Sequence, residues 1–409
     1  MSCLSSVLFI YGDVCLGGSE TLLLRIGRSL NRDKVNITLL CNRINETMKS
    51  QFENAGVKVV SNNSHDNSVC ISELQALDEN SLVINLGLTD FLYCEKVKKQ
   101  LRKDFKNILY VVHPYTLFAA GKKHRVLQQV KLLLMKLVYK RPIQGYLKNG
   151  NIIFMDEQSF KHSDAFYGFR VEDMKKHIIR LPIETSSIDD QTLKTKCENR
   201  HNCTNILTIA RADFPFKGYM KGLIQSCSNI DGDISLTIIS DGNGFRELKT
   251  WVDDANEKIK HPIELIKGVP YDKLFPYYSS CHIYVGMGTT VLEAADKGAI
   301  CIPVAFYTYK CNADKTFDES PNRIALEKYE GRSVDDLLNN LLRLDDSTFL
   351  KKMLESKKII EDNYSTDSFI RKLKKRKVNA NESYVSLPLN AFVDLQRMTR
   401  KQMDKKGLE

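Results

Sequence analysis

"HIYVGMGTTVLEAADKGAICIPV", residues 282–304, is the stretch that decides the fold class of this chain. Its ends, 282–285 and 299–304, are short apolar runs with β-branched residues, which is typical of strands. Between them, Gly286–Gly288 provides a turn and Thr289 begins a short helix. The succession of strand, turn, helix and strand predicts one unit of a parallel sheet that is covered by helices.

The same alternation continues along the chain on the N-terminal side of this stretch. Apolar candidate strands occupy 6–11, 36–41, 57–60, 82–86, 107–112 and 151–155, and a second series occupies 205–210, 234–239 and 263–267. Helical patterns lie between them; in "ETLLLRIGRSLN" (20–31), for example, Leu22, Ile26 and Leu30 recur every four residues. We therefore expect an α/β chain of two doubly wound, Rossmann-like domains facing each other across a cleft. Such sheets bind ligands at the carboxyl ends of their strands.

A polar stretch separates the two series of strands. Residues 184–204, "ETSSIDDQTLKTKCENRHNCT", are nearly free of apolar periodicity. The predicted organisation is an N-terminal domain at 1–190, a linker at 191–204, a C-terminal domain at 205–375 and a helical tail at 376–409.

The overall composition indicates a globular protein in a reducing compartment. Of the 409 residues, 43% are apolar and 27% are charged, and no apolar run reaches the roughly 20 residues of a membrane-spanning helix. The opening "MSCLSSVLFIYGD" lacks the basic region of a signal peptide and is interpreted as a first strand. The 11 cysteines are scattered without C-x-x-C pairs, which favours free thiols. A cytoplasmic location is expected.

Positive charge is concentrated in one window of the chain. The net charge is +10, but residues 96–148 contain 14 Lys and Arg against the single acid Asp104. Such a concentration predicts an anionic partner, which includes phosphate, nucleic acid and a membrane surface.

The basic segment 122–148, "KKHRVLQQVKLLLMKLVYKRPIQGYLK", has two interpretations. A helical stripe of Val126, Val130, Leu133 and Leu137 is interspersed with Lys131, Lys136, Lys140 and Arg141. One interpretation is a peripheral helix that touches anionic lipid headgroups. The other is a core helix whose lysines extend to the solvent.

Two stretches combine a strand end with groups that bind phosphate. In "ILTIARADFPFKGYMKG", Arg211 follows a strand and Lys217 precedes a helix, so the two cations could clamp a diphosphate. In "VGMGTTVLE", the first N–H groups of the helix and the hydroxyls of Thr289 and Thr290 could bind phosphate oxygens, and Glu293 lies one turn further on. Two solvated cations and an ordinary tight turn are the alternative interpretations.

A third stretch, "YGDVCLGGSETLLL", places Gly17 and Gly18 between a strand and a helix that Ser19 could cap. Glycines let the backbone approach a ligand closely. An ordinary strand–helix turn is an equally good interpretation of these residues alone.

Taken together, these motifs resemble the GT-B glycosyltransferases of family 4. The resemblance lies in "GGSE", "R-x5-KG", "ISDGNG", "KGVPYDKLFPYYSSCHIYV" and "GMGTTVLEAADKGAICIPV", which occur in the order and spacing of that family. It covers most of the chain and is strongest over 205–304. It implies the GT-B fold, with an acceptor domain followed by a nucleotide-sugar domain, and a tail that packs back on the first domain. It also implies a retaining enzyme of surface polysaccharide or glycoconjugate synthesis.

The resemblance assigns a role to each site residue. Arg211 and Lys217 would neutralise the diphosphate of a UDP- or GDP-sugar, Thr289 and Thr290 would bind phosphate beside Gly288, and Glu293 would hold the ribose. Gly242, Gly268 and Val269 would line the pocket for phosphate and base. Gly18 would border the diphosphate and the sugar, and Gly17 beside it would also bind the donor. The acceptor would be a glycan or a polyprenyl-linked sugar at the inner face of a membrane.

Two further positions bear on the chemistry. The family has a Glu-x7-Glu pattern whose first glutamate contacts the donor sugar, but Val285 stands at that position here. His113 follows a strand, where the family often has a histidine near the transferred sugar, and it is predicted to hydrogen-bond donor or acceptor near the anomeric centre. The mechanism implied is a front-face displacement, which needs stabilisation of the leaving group more than a protein nucleophile.

Metal and nucleic-acid sites are not expected. The D-x-D at 231–233 is interpreted as a turn, and His162, His177 and His201 lack the spacing of metal ligands. The basic window lacks the interleaved aromatics of a single-strand binder. The alternatives that remain are a non-catalytic protein of the same fold that binds a phosphorylated ligand or nucleic acid, and an epimerase or inactive relative.

Overall fold

The structure is a computed structural model. It describes residues 4–14, 18–62, 67–113, 116–117, 125–185, 188–230, 232–259, 262–327 and 330–378, together with Tyr384, Leu389 and Val393. Of Asp272 and of helical residues 125–131 it describes the backbone alone. The chain divides into two compact units, the first formed by Met1–Pro182 with Thr366–Glu409 and the second by Ile183–Ser365.

The first unit is a parallel sheet with helices on both faces. Its strands are β1 (Ser6–Ile10), β2 (Asp13–Val14), β3 (Asn36–Cys41), β4 (Arg43–Ile44), β5 (Val57–Ser61), β6 (Ser81–Asn85), β7 (Lys106–Val111) and β8 (Ile152–Phe154). Its helices are α1 (Gly18–Arg32), α2 (Glu46–Asn54), α3 (Asn67–Gln75), α4 (Leu88–Leu101), α5 (Arg125–Lys148) and α6 (Glu157–Tyr167), with a 3-10 turn at Met174–His177.

The six main strands of this unit are ordered β5-β3-β1-β6-β7-β8 and all pairs are parallel. The chain starts in the middle of the sheet, moves out on one side, and returns to fill the other side, which is the doubly wound order. Both faces are buried: Val7 and Phe9 belong to one apolar core, while Leu8 and Ile10 belong to the other. Burial on both faces explains why the strands are continuous apolar runs without alternation.

The second unit repeats this plan. Its elements are α7 (Asp190–Asn199), β9 (Thr204–Ile209), α8 (Tyr219–Ser228), β10 (Ile234–Ser240), α9 (Phe245–Asn256), β11 (Glu264–Lys267), α10 (Phe275–Ser280), β12 (Ile283–Gly286), α11 (Thr289–Asp296), β13 (Ile300–Pro303), β14 (Asn312–Ala313), β15 (Arg332–Ser333), α12 (Asp335–Leu342) and α13 (Asp346–Asn363). A 3-10 turn lies at Tyr271–Lys273.

The five parallel strands of the second unit are ordered β11-β10-β9-β12-β13. The winding direction reverses between β9 and β12, and a crevice at the carboxyl ends of the strands is expected at such a switch point. The predicted α/β architecture of two doubly wound, Rossmann-like units is therefore confirmed.

The polar stretch expected as a linker is largely helical. Helix α7 begins after Asp189, whose carboxylate accepts a hydrogen bond from the Thr192 N–H at 2.7 Å. Its inner face consists of Leu193, Lys196 and Cys197, which are all buried, and it packs against α13. The expectation of a linker at 191–204 was wrong because a lysine and a cysteine complete the buried face, so the apolar period is hard to see.

The chain returns to the first unit earlier than expected. Helix α14 (Thr366–Lys375) packs against α1 and buries Phe369, Ile370 and Leu373 in the core of the first unit. The expected boundary of the C-terminal domain at 375 therefore lies ten residues too late, since the second unit ends at Ser365. Further along, Leu389 and Val393 also belong to a core of the first unit.

Candidate functional site

The loop after β9 carries both cations that the sequence singled out. The Arg211 side chain is 77% exposed and its guanidinium lies 3.1 Å from the Asp213 carboxylate. Lys217 is half-buried, and its N–H donates to the Asp213 carbonyl at 2.8 Å. Because burial opposes a charge, the pKa of Lys217 falls to about 8; Asp213 counteracts this shift and Arg211 adds to it. The loop thus presents two cations, and burial brings the pKa of one of them, Lys217, closer to neutral pH.

The loops after β10 and β11 are tied to this first loop through their backbones. The Ala212 N–H donates to the Asp241 carbonyl at 2.6 Å, and the Gly244 N–H donates back to the Ala212 carbonyl at 2.9 Å. Gly268 donates its N–H to the Ser240 carbonyl at 3.0 Å. Gly242 and Gly268, both predicted to line the pocket, lie in these loops with positive φ, and Val269 is half-buried beside the core. The three loops form one connected edge of the sheet.

The turn after β12 opens towards the same edge. Gly288 has φ +81°, and a Cβ built on it would meet nothing within 4 Å. It precedes α11, and no side chain caps this helix end. Thr289 and Thr290 form the first turn, and the Thr290 hydroxyl donates to the Met287 carbonyl at 3.2 Å. A helix start with space in front of it and without a side-chain cap is suited to an anion.

Glu293 is held by two tyrosines that the sequence reasoning missed. The Tyr271 hydroxyl donates to Oε1 at 3.0 Å and the Tyr278 hydroxyl donates to Oε2 at 2.9 Å. The pKa of Tyr278 is raised well above its usual value, first by burial and then by the Glu293 charge, so its proton stays in place. A carboxylate oxygen can accept more than one hydrogen bond, so a carboxylate in this position is chemically suited to hydroxyl donors. The signal was "VPYDKLFPYY", in which tyrosines follow Gly268 closely.

Val285 and its neighbours in β12 occupy the position where the Glu-x7-Glu pattern would place its first glutamate. Val285 is fully buried in β12, and its neighbour Tyr284 folds over Gly286, where a Cβ would lie 2.7 Å from the tyrosine ring. The Tyr284 hydroxyl accepts from the Ile209 N–H at 3.3 Å and donates to the Ile209 carbonyl at 3.1 Å. A buried apolar side chain and a tyrosine that completes the sheet edge occupy this part of the strand end.

The first unit contains the remaining predicted residues. Gly18 begins α1, and a Cβ on it would meet nothing within 4 Å. His113 is exposed after β7, and its carbonyl accepts from the Thr116 N–H at 3.0 Å. Both lie at the carboxyl edge of the first sheet. Gly17 lies outside the described residues.

No group of three or more His, Cys, Asp or Glu side chains suited to a metal ion occurs in the described part of the chain. Of the D-x-D motif, Asp231 lies outside the described residues, and Asp233 precedes β10 at the opposite edge of the sheet. His201 is paired with Asp346 at 2.8 Å, and burial lowers the pKa of His177 to about 4.

A cavity of about 600 Å³ lies at the amino ends of β9 and β12, away from these groups. Buried polar side chains that line it make hydrogen bonds to backbone groups. The Lys196 ammonium donates to the Lys297 carbonyl at 2.9 Å, and the His282 ring accepts from the Asn205 N–H at 2.9 Å. Because doubly wound sheets bind ligands at the carboxyl edge, the cavity does not mark the site.

The basic helix α5 exposes Leu133 and Leu137 of its apolar stripe, at 58% and 70%. Leu134, outside the stripe, is 51% exposed, whereas Met135 and Tyr139 are buried. Lys140 and Arg141 are exposed beside them. The side chains of Val126, Val130 and Lys131, and all of 122–124, lie outside the described residues. Among the described helices, none is both long and apolar enough to cross a bilayer.

Comparison with known proteins shows the fold. No protein-family model matches the sequence, and no curated protein matches it. Among solved structures, it is similar to a glycosyltransferase from Rickettsia africae, with a TM-score of 0.62 and 13% identity, covering 91% of this chain and 97% of that one. It is similar to Anabaena HepE in complex with UDP and glucose, with a TM-score of 0.60 and 13% identity, over 91% and 98%. It is also similar to the lipopolysaccharide outer core galactosyltransferase WaaB, with a TM-score of 0.57 and 15% identity, over 90% and 98%. The fold shared with these proteins is GT-B.

Proposed function

We propose that this protein is a glycosyltransferase that takes its sugar from a nucleotide-diphosphate sugar bound by the second unit. The observation that supports it most strongly is the composition of one sheet edge. At the switch point, Arg211 and Lys217 on the β9 loop accompany the uncapped start of α11 after the β12 turn. Two cations and a helix start are the groups that stabilise a departing diphosphate.

The remaining donor contacts follow from the same edge. The carboxylate of Glu293 lies on α11 after Thr289 and Thr290, where it would accept the ribose hydroxyls, and the base would lie over Gly268 and Val269. Anabaena HepE has been solved with UDP and glucose, which supports UDP as the nucleotide to try first.

The finer part of the proposal concerns chemistry and acceptor. Transfer proceeds with retention by front-face displacement and without a metal ion, and the leaving phosphate helps to deprotonate the acceptor. Gly18 and His113, at the carboxyl edge of the first sheet, would contribute to substrate binding, and the acceptor would be a glycan or a lipid-linked sugar. The exposed leucines and cations of α5 support contact with an anionic membrane surface. The pathway would be surface polysaccharide or glycoconjugate synthesis.

Equilibrium binding tests the proposal. UDP, GDP and ADP are titrated against the protein by calorimetry, and the variants R211A and K217A are compared with K249A, whose lysine is exposed on α9. Because hydrogen bonds to charged groups contribute about 1.5–3 kcal/mol, each of the first two variants should weaken nucleotide binding roughly 10- to 100-fold. K249A should bind as the unaltered protein does.

Turnover then separates the enzyme from a binding protein of the same fold. The nucleotide that binds is supplied as its sugar derivative with a panel of glycans and lipid-linked sugars, and release of the nucleoside diphosphate is followed. Binding without turnover would favour a non-catalytic role. Binding to none of the three nucleotides would contradict the proposal.

A further inference from the structure

A group of aromatic side chains lies beside Lys217 and has no role in the site described so far. Phe216 belongs to the β9 loop, and Tyr307 belongs to the loop that follows β13. Their ring centroids are 5.0 Å apart, and Phe306 lies 5.9 Å from Phe216. We call Phe216 and Tyr307 the aromatic shelf. Phe216 is 37% exposed and Tyr307 is 48% exposed, so both rings present surface to the solvent.

The aromatic shelf is held rigidly. The Tyr307 N–H donates to the Phe216 carbonyl at 3.1 Å, which joins the two loops. Gly218 lets them approach closely, since a Cβ there would lie 2.7 Å from the Thr308 carbonyl oxygen. Tyr307 itself has φ +55°, a conformation that a tyrosine rarely adopts. Strain of this kind persists only where the surroundings impose it, and it concentrates at ligand sites.

The aromatic shelf lies next to the proposed phosphate clamp. The Lys217 Nζ is 5.0 Å from the centroid of the Phe216 ring. The β9 and β13 loops flank the β12 turn, because β12 lies between these two strands in the sheet. In a nucleotide sugar, the hexose is bonded directly to the distal phosphate. A diphosphate held between Lys217 and the start of α11 therefore places the hexose next to these rings.

The two ends of such a donor would lie on opposite faces of the sheet. Tyr278, the partner of Glu293, belongs to the core on one face, whereas Phe306 packs against the core on the other. A ribose at Glu293 and a diphosphate at Gly288 thus point the sugar towards the aromatic shelf. The strand end itself offers no carboxylate to the sugar, since Val285 is buried.

Stacking is the chemistry that these rings offer. A hexopyranose ring has an apolar face of C–H groups, and the face of an aromatic ring carries partial negative charge. We propose that Phe216 and Tyr307 form the surface on which the hexose of the donor stacks, so that aromatic contact does the work that the family assigns to the missing glutamate. This proposal rests on the proposed function, because it requires a nucleotide sugar in the second unit.

The test separates the hexose contact from nucleotide binding. Dissociation constants are measured for UDP against UDP-glucose, UDP-galactose and UDP-N-acetylglucosamine, for GDP against GDP-mannose, and for ADP against ADP-glucose. The chain has a single tryptophan, Trp251, whose ring lies 4.7 Å from Phe214 in the same loop as Phe216, so its fluorescence follows binding nearby. The quantity of interest is the ratio of the constants for nucleotide and nucleotide sugar.

Two variants remove one ring each. F216L keeps an apolar side chain, and Y307G fits the positive φ without strain, so at least this second variant is expected to fold well. The control is F275L: Phe275 is also exposed, at 51%, and also has a lysine over its ring, with Lys297 Nζ 4.5 Å from the centroid. Affinity for the nucleotide alone should stay within about twofold in all three variants. From the size of aromatic contacts, the ratio should fall roughly three- to tenfold in F216L and Y307G and remain constant in F275L.

Failure of the aromatic shelf is distinct from failure of the proposed function. If the unaltered protein binds UDP, GDP or ADP but the ratio is the same in F216L and Y307G, the stacking proposal is overturned and the nucleotide site stands. A parallel loss of nucleotide and nucleotide-sugar affinity leaves the ratio unchanged and overturns it equally. If the unaltered protein binds none of UDP, GDP and ADP, the proposed function fails and the aromatic shelf with it.

Discussion

At the scale of single residues, Lys217 is the side chain whose chemistry is best defined. Burial brings its pKa to about 8, so it is mostly charged at neutral pH and becomes neutral a little above it. A bound diphosphate favours the charged form and raises the pKa again. Above pH 8, nucleotide binding therefore requires Lys217 to take up a proton, so the nucleotide affinity falls as the pH rises.

The first prediction follows from this linkage. Affinity for the nucleoside diphosphate should be nearly constant up to about pH 7, begin to fall as the pH approaches the pKa of about 8, and fall by up to about tenfold per pH unit above it. In K217R the cation stays charged throughout, because the pKa of arginine exceeds about 12, so this fall should disappear. Calorimetric titrations between about pH 7 and pH 9 give the nucleotide affinity of both proteins. Titration of the nucleobase affects both proteins equally, so the comparison with K217R removes its contribution. An identical pH profile in the two proteins would show that Lys217 does not touch the ligand.

The second prediction concerns Glu293. The variant E293Q keeps an oxygen for the buried Tyr278 hydroxyl, so the fold should be preserved, but the charge that we propose to accept the ribose hydroxyls is lost. The preference for UDP over 2′-deoxy-UDP should shrink by roughly fivefold, which corresponds to about 1 kcal/mol between charged and neutral hydrogen bonds. E247Q, altered in an exposed glutamate of α9, serves as the control. An unchanged preference in E293Q would remove Glu293 from the ribose site.

At the scale of secondary-structure elements, two segments behave differently from their sequence patterns. Helix α7 was hidden within a polar stretch, whereas α5 exposes leucines that a core helix would bury. In both cases, neighbouring elements decide which face of the helix is covered, and those neighbours are distant in sequence. Leu193, for example, packs against the turn after α11, since a Cβ on Gly298 would lie 2.3 Å from its Cδ2.

The third prediction tests the place of α7 in the second unit. Leu193 is fully buried, so L193A should lower the free energy of unfolding by about 2–5 kcal/mol. K194A, which alters the exposed neighbour, should change it by less than about 0.5 kcal/mol. Chemical denaturation measures both variants. A small effect of L193A would mean that this stretch is a linker after all.

The fourth prediction tests α5 as a membrane contact. The double variant L133S/L137S removes exposed apolar area without altering charge, and it should weaken binding to vesicles that contain phosphatidylglycerol. The double variant K140Q/R141Q should weaken it too, and chiefly at low salt, because charge attraction is screened. The control is F275S, which alters an exposed aromatic residue of the second unit and should bind the vesicles as the unaltered protein does. Co-sedimentation gives the bound fraction, and equal binding by all four proteins would exclude α5 from the contact.

At the scale of the whole molecule, the sequence was sufficient for the architecture. Apolar strands alternate with helices throughout, and parallel strands need crossover connections, so two doubly wound sheets follow directly. The division of the chain was harder to predict. Helix α14 carries the pattern Phe369, Ile370 and Leu373, which shows that one face is buried but not which sheet covers it.

The candidate site was predictable to a similar degree. Arg211, Lys217, Gly288 and Thr289 could be placed at one sheet edge from the sequence, because each comes after a strand and the ends of neighbouring parallel strands meet at one edge. Tyr307 could not be found in this way. Its position depends on how separate loops pack together, as in the hydrogen bond from the Tyr307 N–H to the Phe216 carbonyl.

The central claim is that the second unit binds a nucleoside diphosphate at the switch point between β9 and β12. A crystal structure of the protein with UDP tests this claim most directly. The proposal predicts that the phosphates lie within hydrogen-bonding distance of the Thr289 and Thr290 N–H groups and of Lys217, with the ribose hydroxyls on Glu293. UDP bound elsewhere, for instance in the cavity beside Lys196 and His282 at the opposite edge of the sheet, would contradict it.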